Sequence, residues 1–170
     1  MLPNQFSKKK SNKKTIGIKE CKKVVTFDPK SKKANGWVLE VISDRDGFTG
    51  HLNGQAYMTV ADPGLFKGYH LHAASDYYVT CLKGKIKEIV YKSRKIKKEI
   101  KMGDDDFKTV FVPRGCPHGI KNIGKEQALV LIYRYPSWSP DFKEQLDISP
   151  EDIETKEAWD RISEFVAKFK

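Results

Sequence analysis

The chain has 170 residues, three cysteines and a formal net charge of +10, and these values exclude several classes of protein. One hydrophobic core accommodates this length, so we expect a single globular domain. No apolar run reaches the roughly 18–20 residues of a membrane span, and no apolar segment follows the N-terminal lysines as in a signal peptide. Three cysteines do not indicate a disulfide framework. We therefore expect a reduced, cytoplasmic protein without a membrane partner.

The positive charge is concentrated at the N-terminus. Residues 1–35 contain eleven lysines against Glu20 and Asp28, so the remaining 135 residues carry a surplus of only one positive charge. Lysines attract phosphates, but no aromatic residues interleave with the lysines of residues 8–14 to stack on bases. The composition predicts a disordered basic arm over residues 1–14 and does not indicate a nucleic-acid partner.

Short runs rich in β-branched and aromatic residues follow this arm, and turn residues separate them. The sequence predicts strands at residues 15–18, 24–27, 36–42, 55–60, 77–82, 85–92, 108–113 and 128–135. It predicts loops between them, among them residues 61–68, 93–106 and 121–127. Short strands with no helix between them are typical of an antiparallel sandwich or jelly roll. We assign residues 15–148 to this β domain.

The C-terminal segment has the pattern of a helix over residues 149–170. Ser149 fits the N-cap, Pro150 fits the first helical position, and Asp152 lies three residues after the serine. Apolar residues then recur at helical spacing, at Trp159, Ile162, Val166 and Phe169. We expect this helix to pack on the β domain or on a partner chain.

Histidines cluster in the stretch GYHLHAASD, residues 68–76. Along a strand, residues two apart project from the same face, so His70 and His72 point together into the barrel or out of it. Asp76 follows across a short turn, and His118 begins another strand within PRGCPHGIKN. Imidazole and carboxylate together suit zinc, iron, nickel or manganese. The sequence therefore predicts a divalent transition metal site formed by His70, His72, Asp76 and His118.

These residues stand at the spacing of two motifs of the cupin superfamily, which the sequence resembles. The first motif is met by Gly64, His70, His72 and Asp76, with Gly84 one residue late. The second motif is met by Pro113, Gly115, His118 and Asn122. The resemblance implies an all-β fold, namely a cupin β-barrel or jelly roll with one internal pocket, followed by the C-terminal α-helix.

Within the cupins, residues 15–137 resemble dTDP-4-dehydrorhamnose 3,5-epimerase-like proteins. The stretches that carry this resemblance are GWVLEVI, GQAYMTVADPGLFKGYHLH, DYYVTCLKGKIKEIVY and VPRGCPHGIKNIG. The resemblance implies a sugar-nucleotide epimerase, an isomerase of polysaccharide biosynthesis. Such an enzyme takes a proton from a nucleotide-linked 4-keto-6-deoxy sugar next to its ketone, and it requires no cofactor.

The same resemblance implies roles for individual residues. His70 falls on the catalytic base, and Tyr133 or Tyr135 falls on the tyrosine that returns a proton from the opposite face. The nucleotide diphosphate needs a basic side chain, and Lys67 stands where the family has arginine. The other candidates for substrate contact are Arg134, Gln55 and Tyr57.

Two other functions fit the same residues. The HxH pattern favours a metal-dependent cupin that uses the predicted metal site. A non-catalytic sugar-binding cupin also fits, because the catalytic lysine expected after the histidine pair is absent from DYYVTCL. Open strand edges invite association and cupins of this kind commonly pair, so we also expect a homodimer, formed through residues 85–101 or the C-terminal helix.

Overall fold

The computed structural model describes residues 23–28, 30–43 and 54–169. These residues form eleven strands and one helix, namely β1 Lys23–Phe27, β2 Ala34–Ile42, β3 Gln55–Ala61, β4 Phe66–His72, β5 Asp76–Lys83, β6 Lys85–Ser93, β7 Ile96–Gly103, β8 Thr109–Val112, β9 His118–Asn122, β10 Ala128–Tyr135, β11 Gln145–Asp147 and α1 Lys156–Ala167. The predicted basic arm at residues 1–14 and the predicted strand at residues 15–18 lie outside the described residues.

The strands pair antiparallel in two sheets that face each other. The six-stranded sheet has the order β1-β2-β3-β10-β5-β8, and the five-stranded sheet has the order β11-β4-β9-β6-β7. Apolar side chains from both sheets meet in one core, which includes the fully buried Val79, Cys81, Ile86 and Val130. The prediction of an all-β fold with a C-terminal helix is confirmed.

Two of the predicted loops contain strands. The lysine-rich segment 93–106 contains β7, in which Met102 is buried in the core while Lys101 beside it is exposed. The strand lies at the edge of its sheet, where lysines discourage pairing with another chain, and this explains why its composition resembles a loop. The predicted loop 61–68 contains the start of β4, the strand that carries two of the histidines.

The C-terminal helix begins later than the sequence predicts. Ser149 donates its hydroxyl to the carboxylates of Glu151 and Asp152 instead of accepting a backbone N–H, so it does not cap a helix. Thr155 is the N-cap, because its side chain accepts from the backbone N–H of Ala158. No helix among the described residues is long and apolar enough to cross a membrane.

Helix α1 covers the outer face of the five-stranded sheet. Ala158 and Ile162 of the helix are buried in a cluster with Leu71 of β4 and with Ile89 and Tyr91 of β6. Outward-facing apolar side chains of this sheet are therefore buried within the chain itself, and α1 buries part of its own apolar face in the same contact.

A bulge in β4 aligns its side chains for the cavity between the sheets. The register against β9 shifts between Gly68 and His70, so Lys67 and His70 line the same cavity although they are three residues apart. Gly68 has a φ of +121°, and a Cβ there would lie 2.8 Å from the Cα of Gly119 and from the carbonyl oxygen of His118. Glycine is therefore required where β4 approaches β9.

The packing of α1 predicts unequal effects of two isoleucine truncations. Ile162 is 4% exposed and Ile96 is 57% exposed. We expect Ile162→Ala to lower the free energy of unfolding by about 2–5 kcal/mol, because it leaves a cavity under the helix. Ile96→Ala should change it by no more than about 0.5 kcal/mol. Urea unfolding of both variants tests this, and equal losses would contradict the packing of α1 on the sheet.

Candidate metal centre and substrate cavity

A cavity of about 900 Å³ lies between the two sheets. The six-stranded sheet contributes Glu40, Gln55, Tyr57, Tyr77, Ile132 and Arg134 to its wall, and the five-stranded sheet contributes Lys67, His70, His72, His118 and Ile120. A cavity of this size and mixed polarity is typical of a site for a small organic ligand.

The three predicted histidines meet on the five-stranded side of this cavity. His70 of β4 pairs in register with His118 of β9, and His72 follows two residues along β4. One ring nitrogen from each histidine lies within 4.8 Å of those of the other two. The ring centroid of His70 lies 4.7 Å from that of His118 and 5.3 Å from that of His72. Three imidazoles at this spacing can bind one metal ion.

Buried carboxylates orient two of the three rings. Nδ1 of His118 lies 2.7 Å from Oε1 of Glu88, and Nδ1 of His72 lies 2.9 Å from Oε1 of Glu144. An ionised carboxylate accepts a hydrogen bond from Nδ1, and in that state the Nε2 of the same ring keeps its lone pair. Carboxylates commonly orient metal-binding histidines in this way.

Two buried polar atoms at this site have no hydrogen-bond partner among the described residues. They are Nε2 of His118 and Oε2 of Glu88, on opposite sides of the same hydrogen-bonded pair. A buried lone pair without a donor is costly, and a buried carboxylate needs a compensating positive charge. A divalent cation at Nε2 of His118 would accept this lone pair. Its positive charge, on the other side of the ring, would also compensate the carboxylate of Glu88. The residues present therefore fit a metal ion.

Two of the histidines, His70 and His72, are neutral near pH 7 because their pKa values are lowered. Burial and then the neighbouring His118 and His72 hold the pKa of His70 well below its ordinary value. Burial also lowers the pKa of His72 to about 4, although the hydrogen bond to Glu144 opposes this shift. A neutral imidazole is the form that binds a metal or accepts a proton.

Glu144 is a residue that the sequence analysis missed, and it connects several parts of the site. Its carboxylate accepts hydrogen bonds from His72, from the backbone N–H of Ala74 at 3.1 Å and from Arg134 at 2.7 Å. Burial alone would raise the pKa of Glu144, but the hydrogen bond from His72 and the charge of Arg134 lower it. Glu144 is therefore ionised and holds the ring of His72 in place.

Asp76 is not a fourth ligand, so this part of the predicted metal site is wrong. Its carboxylate accepts from the backbone N–H of Arg114 at 3.0 Å and from Nη2 of the same arginine at 2.7 Å. The reason is strand alternation, because Tyr77 points into the cavity and its neighbour Asp76 therefore does not. The carboxylates that reach the histidines come from Glu88 and Glu144.

The predicted tyrosine acids also lie on the wrong side of their strand. Along β10, Ile132 and Arg134 line the cavity, whereas Tyr133 and Tyr135 are 38% and 43% exposed. Tyr77 of the neighbouring strand β5 faces the cavity instead. Its ring stacks on that of His72, with centroids 4.1 Å apart, and its hydroxyl lies 3.2 Å from Nδ1 of that histidine. The alternation of Tyr77, Val79 and Cys81 is the sequence signal that identifies it.

Lys67 lines the cavity and its ammonium group is fixed there. It donates to the hydroxyls of Thr26 and Thr59, at 2.9 and 2.7 Å, and to the carbonyl oxygen of Val60 at 3.0 Å. All three partners are uncharged, and burial lowers the pKa of Lys67 to about 8. The cavity therefore contains a positive charge that no hydrogen-bonded carboxylate of the described residues neutralises.

The other predicted contact residues differ in what they can do. Arg134 is buried, and besides Glu144 it binds the hydroxyl of Ser75 and the carbonyl oxygen of Pro136, so it stabilises the wall of the cavity. Gln55 lines the cavity and donates to Glu40. Tyr57 also lines it, and burial raises the pKa of Tyr57 to about 12, which keeps its hydroxyl protonated.

Comparison with solved structures identifies the fold. Over 74% of its length the chain superposes on 34% of the capsular polysaccharide assembling protein CapF from Staphylococcus aureus, with a TM-score of 0.61 and 19% identity. It also superposes over 71% of its length on 39% of an oxalate decarboxylase from Lactobacillus farciminis, with a TM-score of 0.54 and 20% identity. The cupin fold is confirmed, and the chain spans about a third of the length of CapF.

Comparison of sequences adds the family. The chain is 28% identical over 126 residues to the spore coat polysaccharide biosynthesis protein SpsL of Bacillus subtilis, which covers 71% of this chain and 82% of SpsL. Residues 33–145, which are more than half of the chain and include all three clustered histidines, match the family described as Polysaccharide biosynthesis C-terminal domain. The chain therefore belongs to the Polysaccharide biosynthesis C-terminal domain family.

Proposed function

We propose that the chain is an enzyme of polysaccharide biosynthesis that moves a proton next to the carbonyl group of a nucleotide-linked keto sugar. In this proposal His70, His72 and His118 hold a divalent transition metal ion at the substrate cavity. The observation that carries it is the three-histidine cluster, in which two rings are oriented by buried carboxylates and one buried Nε2 has no partner among the described residues. The family, together with the similarity to the spore coat polysaccharide biosynthesis protein SpsL and the capsular polysaccharide assembling protein CapF, supports the sugar class of the substrate.

The donor set favours zinc, nickel or iron over harder metals. Neutral imidazole nitrogens suit these ions, whereas magnesium and calcium prefer oxygen ligands. Three protein ligands also leave coordination positions for a substrate, as in catalytic zinc sites. When bound, the ion supplies a positive charge that polarises a carbonyl oxygen.

Side chains in the cavity supply further positive charge and hydrogen-bond donors for the substrate. A C–H bond next to a ketone loses its proton only to a base, and only where the negative charge that develops on oxygen is stabilised. With the three histidines on the metal, the carboxylate of Glu40 in the wall of the cavity is the group that accepts the proton and returns it. The ammonium group of Lys67, held by three uncharged partners, provides positive charge in the same cavity. That charge also suits the diphosphate of a nucleotide sugar. The Tyr57 and Tyr77 hydroxyls face the cavity in their protonated form and are donors for substrate oxygens.

A second candidate is the metal-free epimerase in which His70 is the base. One observation favours it: within the described part of the chain, the His70 ring makes no side-chain hydrogen bond, unlike the rings of His72 and His118. A nitrogen that accepts a proton from the sugar cannot hold a metal ion at the same time, so the two roles of His70 exclude each other. Metal content and isotope exchange separate them.

Metal content is the first test. Protein purified without a histidine tag should contain about one transition metal ion per chain by elemental analysis. His118→Ala should lose most of it, whereas Asp76→Asn should retain it, because Asp76 is bound to Arg114 and not to the cluster. Melting temperatures of the variants show whether they are folded. Metal-free protein whose melting temperature does not respond to zinc, nickel, iron or manganese would refute the metal site.

Isotope exchange tests the reaction. In heavy water, solvent deuterium should enter a nucleotide-linked 4-keto-6-deoxy sugar next to its carbonyl, and mass spectrometry or proton NMR detects this. For the metal enzyme, removal of the metal by a chelator stops the exchange and re-addition restores it. For the metal-free epimerase, chelators have no effect, and His70→Asn abolishes exchange while His72→Asn only weakens it. Absence of exchange with several sugar nucleotides would favour a protein that binds sugar without reaction.

The pKa of Lys67 predicts how nucleotide binding depends on pH. Between about pH 7 and about pH 9 the Lys67 ammonium loses its proton, because its pKa is about 8, so affinity for thymidine or uridine diphosphate should fall. Lys67→Met should bind about tenfold more weakly at the lower pH, the loss of one charge-assisted hydrogen bond, and should show little pH dependence. Calorimetric titration measures both effects.

The control for this test is Lys30→Met. Lys30 lies at the mouth of the same cavity, but its pKa is raised by the hydrogen bond to Glu151, so it does not titrate in this range. This variant should keep the pH dependence of the wild-type chain. If Lys67→Met keeps the same dependence, the charge that binds the nucleotide lies elsewhere.

A further inference from the structure

A third buried polar atom without a hydrogen-bond partner among the described residues lies in the wall of the cavity, away from the histidines. It is the amide oxygen Oδ1 of Asn35, a residue that is only 5% exposed. A buried amide oxygen that accepts no hydrogen bond costs free energy, and such atoms are rare in folded proteins. This acceptor therefore points to a ligand that donates a hydrogen bond inside the cavity.

A bulge in β2 turns the side chain of Asn35 toward the cavity. Val38 and Glu40 of the same strand line the cavity, so regular alternation would place Asn35 on the opposite face. The register against β1 shifts between Thr26 and Phe27, which leaves Asn35 without a partner residue on β1. Bulges commonly redirect a side chain next to an active site. The amide therefore lies in the cavity because the backbone is irregular at this position.

The position of Lys67 indicates what kind of group reaches this amide. A Cβ built on Gly36, the residue after Asn35, would lie 3.4 Å from Nζ of Lys67. The ammonium group repels a cation, so the donor that reaches Asn35 is a neutral hydroxyl or N–H group. The same ammonium group attracts an anion. A ligand that satisfies both residues carries a neutral donor close to a phosphate, as the pentose of a nucleoside diphosphate does.

Strand register gives the order of these groups along the cavity. Tyr57 of β3 lies at the histidine end, beside Tyr77, whose ring stacks on one of the histidines. Lys67 donates to Thr59, two residues further along β3. Asn35 lies further still, next to the residue of β2 that pairs with the last residue of β3. The order of histidines, ammonium group and amide matches the order of sugar, diphosphate and pentose in a nucleotide-linked sugar.

We propose that Asn35 recognises the pentose of the nucleotide, by accepting a hydrogen bond from one of its hydroxyl groups at Oδ1. This inference rests on the nucleotide-linked substrate of the proposed function and names the group of the nucleotide that Asn35 binds. With the diphosphate at Lys67, the pentose is the next group of the ligand on the side of Asn35. A hydroxyl of the keto sugar lies on the other side of the diphosphate, toward the histidines.

Calorimetric titration with three matched ligands tests this contact. Uridine diphosphate, 2′-deoxyuridine diphosphate and 2′,3′-dideoxyuridine diphosphate differ only in the hydroxyl groups of the pentose. For the wild-type chain, loss of one of the two hydroxyls should weaken binding about tenfold, the size of one buried hydrogen bond. Asn35→Ala should bind uridine diphosphate about tenfold more weakly and should bind all three ligands alike, because the acceptor is gone.

Asn122 provides a matched control, because it is a buried asparagine whose amide is fully bonded within the chain. Its Nδ2 donates to the carbonyl oxygens of Ala61 and Glu126, and its Oδ1 accepts from the backbone N–H of Gly124. Asn122→Ala should lower the melting temperature by at least about 5 °C and keep the wild-type preference among the three ligands. Asn35→Ala should shift the melting temperature by no more than about 2 °C in the absence of nucleotide.

The outcomes separate this inference from the proposed function. A wild-type chain that binds neither uridine nor thymidine diphosphate at about 1 mM would refute the nucleotide-linked substrate itself. A wild-type chain that binds uridine diphosphate and both deoxy analogues equally would refute only the role of Asn35, and so would an Asn35→Ala variant that keeps the wild-type preference. Where thymidine diphosphate binds better, it and its 3′-deoxy analogue serve in the same way.

Two further variants keep the test decisive. Asn35→Asp retains an acceptor oxygen at the same place, so it should still distinguish the three ligands, although its negative charge weakens the binding of all of them. Loss of that preference in a folded Asn35→Asp variant would contradict the hydrogen bond. If Asn35→Ala melts below Asn122→Ala, Asn35→Leu replaces it, because leucine fills the space without an acceptor. It should likewise bind the three ligands alike, and a retained preference would overturn the proposal.

Discussion

The site depends on the close approach of β4 to β9. Only glycine fits at position 68, because a Cβ would meet the backbone of Gly119 and His118, and the bulge at this point turns Lys67 and His70 to the same side. The same pairing sets His70 opposite His118. A side chain at position 68 would separate the two strands, and the histidine cluster and the lysine charge would lose their geometry together.

The negative charges of the two carboxylates behind the histidines, Glu144 and Glu88, are compensated to different extents. Glu144 is held by Arg134 and by a backbone N–H as well as by His72, so its charge is compensated whether or not a metal is present. Glu88 hydrogen-bonds to His118 and one of its oxygens has no partner among the described residues, and burial raises its pKa. The His118 side of the site therefore gains more from a bound cation than the His72 side does.

Sequence spacing identified the three histidines because each lies in a short motif. His70 and His72 are two residues apart in the first motif, and His118 belongs to the second. Spacing did not identify Glu88 and Glu144, because each reaches its histidine through contacts between segments 30 and 72 residues apart in sequence. The errors at Asp76 and Tyr133 have another origin. Both residues have side chains of the expected chemistry, but strand alternation turns them away from the cavity. The buried apolar residues of the same strands, such as Val79 and Ile132, show which side of each strand faces inward.

The two sheets contribute different residues to the cavity. The five-stranded sheet carries the histidines and the lysine, and α1 closes its outer face. The six-stranded sheet supplies the facing wall, where Arg134 lies 5.2 Å from the ring of Tyr77 and that ring stacks on His72. Tyr77 and Tyr78 are neighbours on β5 that point to opposite sides, Tyr77 to the cavity and Tyr78 to the outer surface of the sheet. Alternation along one strand therefore places Tyr77 at the site and Tyr78 on the surface.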